Sequence, residues 1–324
     1  MKKFVHFNAR SLDEAVSILQ RYQGKARLIA GGTDLLGKMK DRILPDYPEA
    51  VVNLKSIPGL DFIGEDSTGV KIGALTRLED IAVHPLLKEK FSALSQAARK
   101  TASPHIREMG TLAGNICQDI RCWYYRSPDN RFPCLRKGGG RCYAIEGDNR
   151  YHSIFGGSVD QGCYAVHPSD TAPALIALDS RVKTTKRTIR AEEFFRVSVA
   201  GTTVLEKDEI VLQIEIPRPD LETRSAFIKF ALRKSIDFPI VNCAAAVTRK
   251  DQKINQARIC LNAVHVKPYR PVPAEKVLEG KVLDEKIAEE AGEAAVAGAT
   301  PLTHNGYLVP IARALTQRAV LACQ

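Results

Sequence analysis

The residues best equipped for chemistry in this chain lie between Ser103 and Asp170. A run of small side chains, Gly110-Thr111-Leu112-Ala113-Gly114-Asn115, is followed by Cys117, Cys122, Cys134, Cys142 and Cys163, and the stretch closes on His167-Pro168-Ser169-Asp170-Thr171. Small side chains let backbone N–H groups approach a ligand closely, and bare N–H groups suit an anion. Five of the chain's eight cysteines fall in this one stretch. Thiols at that density suit metal when the compartment keeps them reduced.

The thiol spacing is C-x4-C-x11-C-x7-C-x20-C, with no C-x-x-C pair. Structural zinc usually takes a ligand pair about two to four residues apart, which counts against zinc. An iron–sulfur cluster tolerates wider loops, and Trp123, Tyr124, Tyr125, Phe132, Tyr143 and Phe155 could screen one from water. Three readings therefore stand: an exposed insertion with incidental thiols, a zinc site, or a [4Fe–4S] cluster, with the crowding favouring the last. A long stretch without helical or strand period needs something to tie it down. His105 and His167 read as local hydrogen-bonding residues, and neither is assigned a catalytic role.

The elements that must hold these features are legible on both sides. Ser11-Leu12-Asp13-Glu14 is a capping box opening a helix that buries Ala15, Ile18 and Leu19. A strand from Ala26 to Ala30 then meets Gly31-Gly32-Thr33-Asp34 and a helix start at Leu35-Leu36, a second anion cradle. Neither the P-loop ending nor the G-x-G-x-x-G fingerprint is present. Strands are expected at 50–54 and 70–74. A second capping box is expected at Thr76-Arg77-Leu78-Glu79, and a helix from Phe91 to Lys100, all around one core. Thr171 to Leu178 reads as a helix, with strands at 181–186 and 210–216. Three antiparallel strands follow at 226–232, 241–248 and 257–264, then helices near 283–297 and 309–321. A boundary near 218–223 separates a C-terminal α+β unit.

Composition bounds the rest. With 324 residues, 44% hydrophobic and 26% charged, the chain is globular. No apolar run reaches the ~18–20 residues a membrane span needs, and the first residues lack a signal-peptide core, so a cytoplasmic location is expected. The formal charge of +10 is scattered without a long basic block, which argues against nucleic acid as a partner.

Ile29-Ala30-Gly31-Gly32-Thr33-Asp34-Leu35, Gly110-Thr111-Leu112-Ala113-Gly114-Asn115-Ile116 and Ser169-Asp170-Thr171-Ala172-Pro173 together resemble the FAD-binding subunits of the molybdenum hydroxylases, the xanthine dehydrogenase family. The resemblance implies an α+β fold. Residues 1–219 would form a two-lobed FAD-binding domain of the vanillyl-alcohol-oxidase type, with lobes at about 1–55 and 56–219 and a cysteine-bearing insertion at about 118–165. Residues 220–324 would form an α+β domain like that of CO dehydrogenase flavoproteins. It also implies that Ile29 to Leu35 wraps the FAD pyrophosphate, with Thr111, Gly114 and Asn115 as the second loop. Thr101 and Asp170 would sit toward the adenosine end, Val211 and Leu212 would be apolar contacts, and Lys229 a cofactor contact. The insertion is similar to that of 4-hydroxybenzoyl-CoA reductase β subunits, which implies Cys122, Cys134, Cys142 and Cys163 as ligands of a [4Fe–4S] cluster and leaves Cys117 over.

The function so implied is electron transfer, with no substrate chemistry on this chain. The expected partners are a molybdopterin-containing large subunit and a small 2×[2Fe–2S] subunit, as a dimer of heterotrimers, with ferredoxin or NAD as the external electron partner. A reductase-type complex fed by ferredoxin is the main expectation, and an oxidative molybdenum hydroxylase is the alternative.

Overall fold

The computed structural model describes residues 1–44, 46–158, 162–198 and 201–324; residues 159–161 of the expected insertion, and 45 and 199–200 of the two expected lobes, lie outside the described residues. The chain opens with β1 (Val5–Asn8), α1 (Leu12–Arg21), β2 (Ala26–Ile29), α2 (Leu35–Lys40) and β3 (Ala50–Asn53). The three strands form a parallel sheet in the order β1-β3-β2, as strand–helix–strand alternation requires. Ala15, Ile18 and Leu19 of α1 pack on Ala26, Ala50 and Val52. At the start of α1 the Ser11 hydroxyl accepts from Glu14 N (3.1 Å), while the Glu14 carboxylate accepts from Arg10 N (2.7 Å), one residue before a regular capping box.

A second lobe contains β4 (Ile63–Asp66), β5 (Gly69–Gly73), α3 (Leu78–Val83), α4 (Pro85–Lys90), α5 (Ser92–Lys100), α6 (Pro104–Met109) and α7 (Leu112–Ile116). After the insertion it is completed by α8 (Thr171–Ala177), β6 (Arg181–Thr184), β7 (Thr188–Arg190), α9 (Ala191–Phe194) and β8 (Val211–Pro217). Its five strands are antiparallel in the order β4-β5-β8-β6-β7. The first hundred residues therefore do not share one core. β4 and β5 pair with β8, which arrives some 140 residues later, and pack in a separate apolar cluster. The expected capping box at Thr76 is also absent. The Thr76 hydroxyl donates to Phe62 O (3.0 Å), and Glu79 pairs with Arg99 (2.8 Å) and Arg107 (2.6 Å). A tertiary acceptor across the turn captured the hydroxyl before its own helix could.

The C-terminal unit is a sheet of β9 (Thr223–Phe230), β10 (Val241–Lys250) and β11 (Lys253–Asn262) in the order β11-β10-β9, with α10 (Val272–Leu278), α11 (Glu285–Val296) and α12 (Leu308–Leu321). β11 starts earlier than the apolar pattern suggested, because its polar first residues still pair with β10 across the Asp251-Gln252 turn. Helix α10 had no sequence forecast. Its buried Glu275 accepts from Ile259 N (2.9 Å) and pairs with Arg270 (2.8 Å). β9 is fastened to α5 through Gln96 Oε1, which accepts from Phe227 N (2.8 Å), and Ser225 Oγ, which accepts from Ala93 N (3.1 Å). Among the described residues no helix is long and apolar enough to cross a membrane.

Candidate functional site

The two glycine loops face each other across one cavity of about 400 Å³. Its lining includes all of Ile29 to Leu35 together with Thr101, Thr111, Gly114, Asn115 and Asp170, residues that stand up to 141 positions apart in the chain. The first loop leaves β2 after Ile29, whose carbonyl accepts from Leu54 N (3.0 Å). Gly32 then takes φ +73°, a backbone that other residues adopt only at a cost. Among the described residues no protein acceptor serves the backbone N–H groups of Gly31, Gly32, Thr33, Asp34 or Leu35. A row of unspent donors on a cavity wall is what an anionic diphosphate needs.

The second loop is built differently. Leu112 N donates to Thr76 O (3.0 Å), Ala113 N to Ala74 O (3.0 Å), Gly114 N to Thr111 Oγ1 (3.2 Å) and Asn115 N to Thr111 O (2.8 Å). Its N–H groups are thus consumed in holding the loop's shape. Asn115 is held by its oxygen, which accepts from Ser169 Oγ (2.6 Å) and Thr171 Oγ1 (2.7 Å), and this turns its amide nitrogen away from that anchor. The two loops also touch. A Cβ on Gly31 would stand 2.1 Å from Met109 O and 3.0 Å from Gly110 Cα.

Around this cavity sits a network that the sequence reading missed. Asp34 pairs with Arg126 (2.7 Å) and Lys38 (3.7 Å) and accepts from Asp119 N (3.0 Å). Lys38 also reaches Asp119 (3.1 Å), and Tyr125 OH donates to the same carboxylate. Burial alone would raise the Asp34 pKa, but Arg126 and Lys38 outweigh it and hold the carboxyl below its usual range. Asp119 is held lower still by the same two cations. The Asp34 side chain therefore anchors its loop to the insertion, and the loop's backbone is what it offers a ligand.

Asp170 lines the cavity from the start of α8. Its oxygens accept from Lys229 Nζ (2.7 Å) and Asn242 Nδ2 (2.7 Å), both from the C-terminal sheet. Burial pushes the Asp170 carboxyl up against the pull of Lys229. Lys229 itself is off the cavity wall and also donates to Lys100 O (2.9 Å). Val211 and Leu212, on β8, are likewise absent from the lining. Val211 is buried in the main core, and the Leu212 carbonyl accepts from Ala74 N (2.9 Å), whose own carbonyl holds Ala113 N. Leu212 therefore stands behind the second loop.

Cys122, Cys134, Cys142 and Cys163 line one small pocket with Ile120, Tyr125 and Ala165, whereas Cys117 lies on the wall of the glycine-loop cavity. Among the described residues no three His, Cys, Asp or Glu side chains stand close enough together to form a metal site. The expected cluster is therefore not drawn to ligand geometry. Burial pushes the Cys122 thiol up to about 12. The Lys137 ammonium is buried beside Cys134 and Cys122, and among the described residues it has no hydrogen-bond acceptor. A cation without an acceptor beside two of the four thiols fits a group that would make those sulfurs anionic. Of the expected aromatic screen, Tyr124, Phe132 and Tyr143 pack together with centroids 5.2–5.9 Å apart. Phe155 instead stacks on Tyr269 of the C-terminal unit at 3.9 Å, and Trp123 is 42% exposed.

The fold and the row of free N–H groups define a protein built to hold an anionic diphosphate. Residues 2–219 match the family described as FAD binding domain in molybdopterin dehydrogenase, and residues 226–323 match the CO dehydrogenase flavoprotein C-terminal domain. The aldehyde oxidoreductase FAD-binding subunit PaoB of Escherichia coli is 32% identical, over 99% of this chain and 98% of that one. The carbon monoxide dehydrogenase medium chain of Hydrogenophaga pseudoflava is 27% identical over 92% and 88%. Among solved structures, carbon monoxide dehydrogenase from Hydrogenophaga pseudoflava aligns with a TM-score of 0.78 at 24% identity, covering 99% of this chain and 97% of that one. The chain belongs to the FAD-binding (medium) subunits of the molybdenum hydroxylase family, which are components of oxidoreductases.

Proposed function

We propose that this chain is the electron-transfer subunit of an oxidative molybdenum hydroxylase, with an aldehyde as the favoured substrate class of the whole complex. The observation that carries the reading is the single cavity formed by both glycine loops, with five consecutive unspent N–H groups on one wall. Similarity to an aldehyde oxidoreductase subunit, alongside nicotinate and carbon monoxide dehydrogenase subunits, favours the oxidative alternative over a ferredoxin-fed reductase. The partners proposed are a molybdopterin-containing large subunit and a small 2×[2Fe–2S] subunit, in a dimer of heterotrimers working in the cytoplasm, with ferredoxin or NAD outside it.

In this reading Gly31 to Leu35 hold the FAD diphosphate, Asn115 and Thr111 bear on it from the second loop, and Thr101 and Asp170 close the far end. Lys229 acts through Asp170, and Val211 and Leu212 act by supporting the second loop. The bound flavin supplies the step between two-electron and one-electron chemistry. Cys122, Cys134, Cys142 and Cys163 are proposed as ligands of a [4Fe–4S] cluster, with Lys137 balancing its negative charge. That cluster would add a one-electron carrier shielded by Tyr124, Phe132 and Tyr143.

The test is anaerobic purification followed by iron, acid-labile sulfide and flavin analysis of the wild type and Cys134→Ser. The expected result is flavin in both and iron only in the wild type. Unchanged iron in Cys134→Ser would sink the ligand assignment, and a colourless wild type would sink the whole reading.

A further inference from the structure

The sulfurs of the thiol pocket are already met by donors. The backbone N–H groups of Tyr124 and Tyr125 are hydrogen-bonded to Cys122, those of Arg136 and Lys137 to Cys134, and that of Ala165 to Cys163. Two side chains add to them: Arg136 at Cys163, and His152 at Cys122, with Nε2 3.2 Å from Sγ. His152 is fully buried, and its Nδ1 has no hydrogen-bond partner among the described residues. Among those residues the ring proton finds an acceptor on Nε2, facing the sulfur, and none on Nδ1.

His152 stands 30 residues from Cys122 in the chain, and the C-terminal unit holds it in place. In the turn before α12, Asn305 Nδ2 donates to His152 O and Ser153 O, both at 3.0 Å. His304 N donates to Asn149 Oδ1 (2.8 Å), and Tyr307 OH donates to Arg150 O (2.9 Å). Ile154 N donates to Val264 O (2.9 Å), just past β11, and Thr300 N donates to Ile154 O (2.7 Å). These bonds fix the backbone on both sides of the histidine while its ring faces Cys122. The twenty residues between Cys142 and Cys163 therefore do more than reach the fourth thiol, because they carry this ring.

We propose that His152 is a positioning residue for the Cys122 sulfur: its Nε2–H donates to that sulfur and raises the reduction potential of the cluster that Cys122 would ligate. The proposal rests on the cluster reading above. A hydrogen bond to a charged acceptor is roughly twice as strong as one between neutral groups. One-electron reduction adds a negative charge, shared by the ligating sulfurs, so the His152 bond strengthens and favours the reduced state. A change on the order of one hydrogen bond is about tenfold in the equilibrium constant, or ~59 mV for one electron.

The full chain is purified without oxygen, its iron and acid-labile sulfide are counted, and it is titrated with dithionite. Electron paramagnetic resonance follows the cluster, and absorbance follows the flavin. In His152→Phe, which has no donor, the expected result is iron retained, a cluster potential lower by about tenfold in the equilibrium constant (~59 mV), and an unmoved flavin. His152→Gln keeps an N–H and should recover at least half of the fall. Asn305→Ala keeps the ring but releases its backbone, and should lower the potential by about threefold. Should His152→Phe not fold, Asn305→Ala decides, and an unmoved potential there overturns the proposal. So does an unmoved potential in a folded His152→Phe, or an equal fall in His152→Phe and His152→Gln. Cluster and flavin potentials falling together would place the effect on the fold as a whole and overturn it too. Iron lost from His152→Phe but kept in Cys122→Ser would make the histidine itself the ligand, with the same consequence. A wild type without iron refutes the cluster reading and the proposal with it, whereas iron with an unmoved potential refutes the histidine's part alone.

Discussion

Gly31→Ala tests the central claim that two loops, each useless alone, form one flavin seat by touching. The new methyl carbon would sit 2.1 Å from Met109 O, 2.7 Å from Met109 C and 3.0 Å from Gly110 Cα. These are backbone atoms, so no rotamer change relieves the contact. Restoring 3.0 Å to the carbonyl oxygen needs the loops to part by about 0.9 Å. Overpacking of this kind costs about 1–3 kcal/mol, which corresponds to a loss of about 5- to 140-fold in FAD affinity if the strain falls on the bound state. Equilibrium dialysis, or flavin fluorescence on dilution, measures the affinity, and thermal unfolding separates local strain from global damage. Gly37→Ala is the matched control: it lies in α2, a Cβ there meets nothing within 4 Å, and it should hold FAD within about twofold of wild type. Should Gly31→Ala keep FAD as tightly as Gly37→Ala, the two loops would not be jointly responsible for the site.

Two further outcomes are expected. Lys229→Met leaves Asp170 buried without its cation and should destabilise the protein by about 3–5 kcal/mol in denaturant unfolding, with Lys229→Met/Asp170→Asn recovering much of the loss. Asp34 and Asp119 have folded-state pKa values below the unfolded ~3.9, so their stabilisation is complete above that pH and lost as pH falls through the folded values. Arg126→Met removes the larger of the two cationic pulls on Asp34 and leaves Lys38 and the Asp119 N–H against burial. The acid-unfolding midpoint, followed by circular dichroism, should therefore move to higher pH; an unmoved midpoint would remove Arg126 from the network.

What could be read early follows from how far each interaction reaches. The Ser11 cap, the strand into Gly31-Gly32 and the two-residue alternation of Ile210 to Ile216 are local, and the structure keeps all three. The Thr76 box failed because its hydroxyl found Phe62 O, fourteen residues away. Arg126 and Asp119 escaped notice because no motif near them in sequence names their partners. A pattern search sees Cys122-Trp123-Tyr124-Tyr125-Arg126 as thiol and aromatics, and the arginine's partner, Asp34, is 92 positions away. One signal was present: Arg126, at the end of a run of rings, demands a carboxylate somewhere if that segment is buried.

By itself the sequence determined the pieces: two small-residue loops able to bring backbone close to an anion, a crowd of thiols, and strands and helices whose periods fix their types. Tertiary structure decided their roles. It spent the second loop's N–H groups internally and left the first loop's free, and it separated Cys117 from the other four thiols. It also left Lys229, Val211 and Leu212 out of the cavity's lining, with Lys229 bound to Asp170, which is part of it. The reason is that donors and carboxylates are satisfied by whichever partner the packed chain delivers, and delivery across a hundred residues leaves no trace in local spacing.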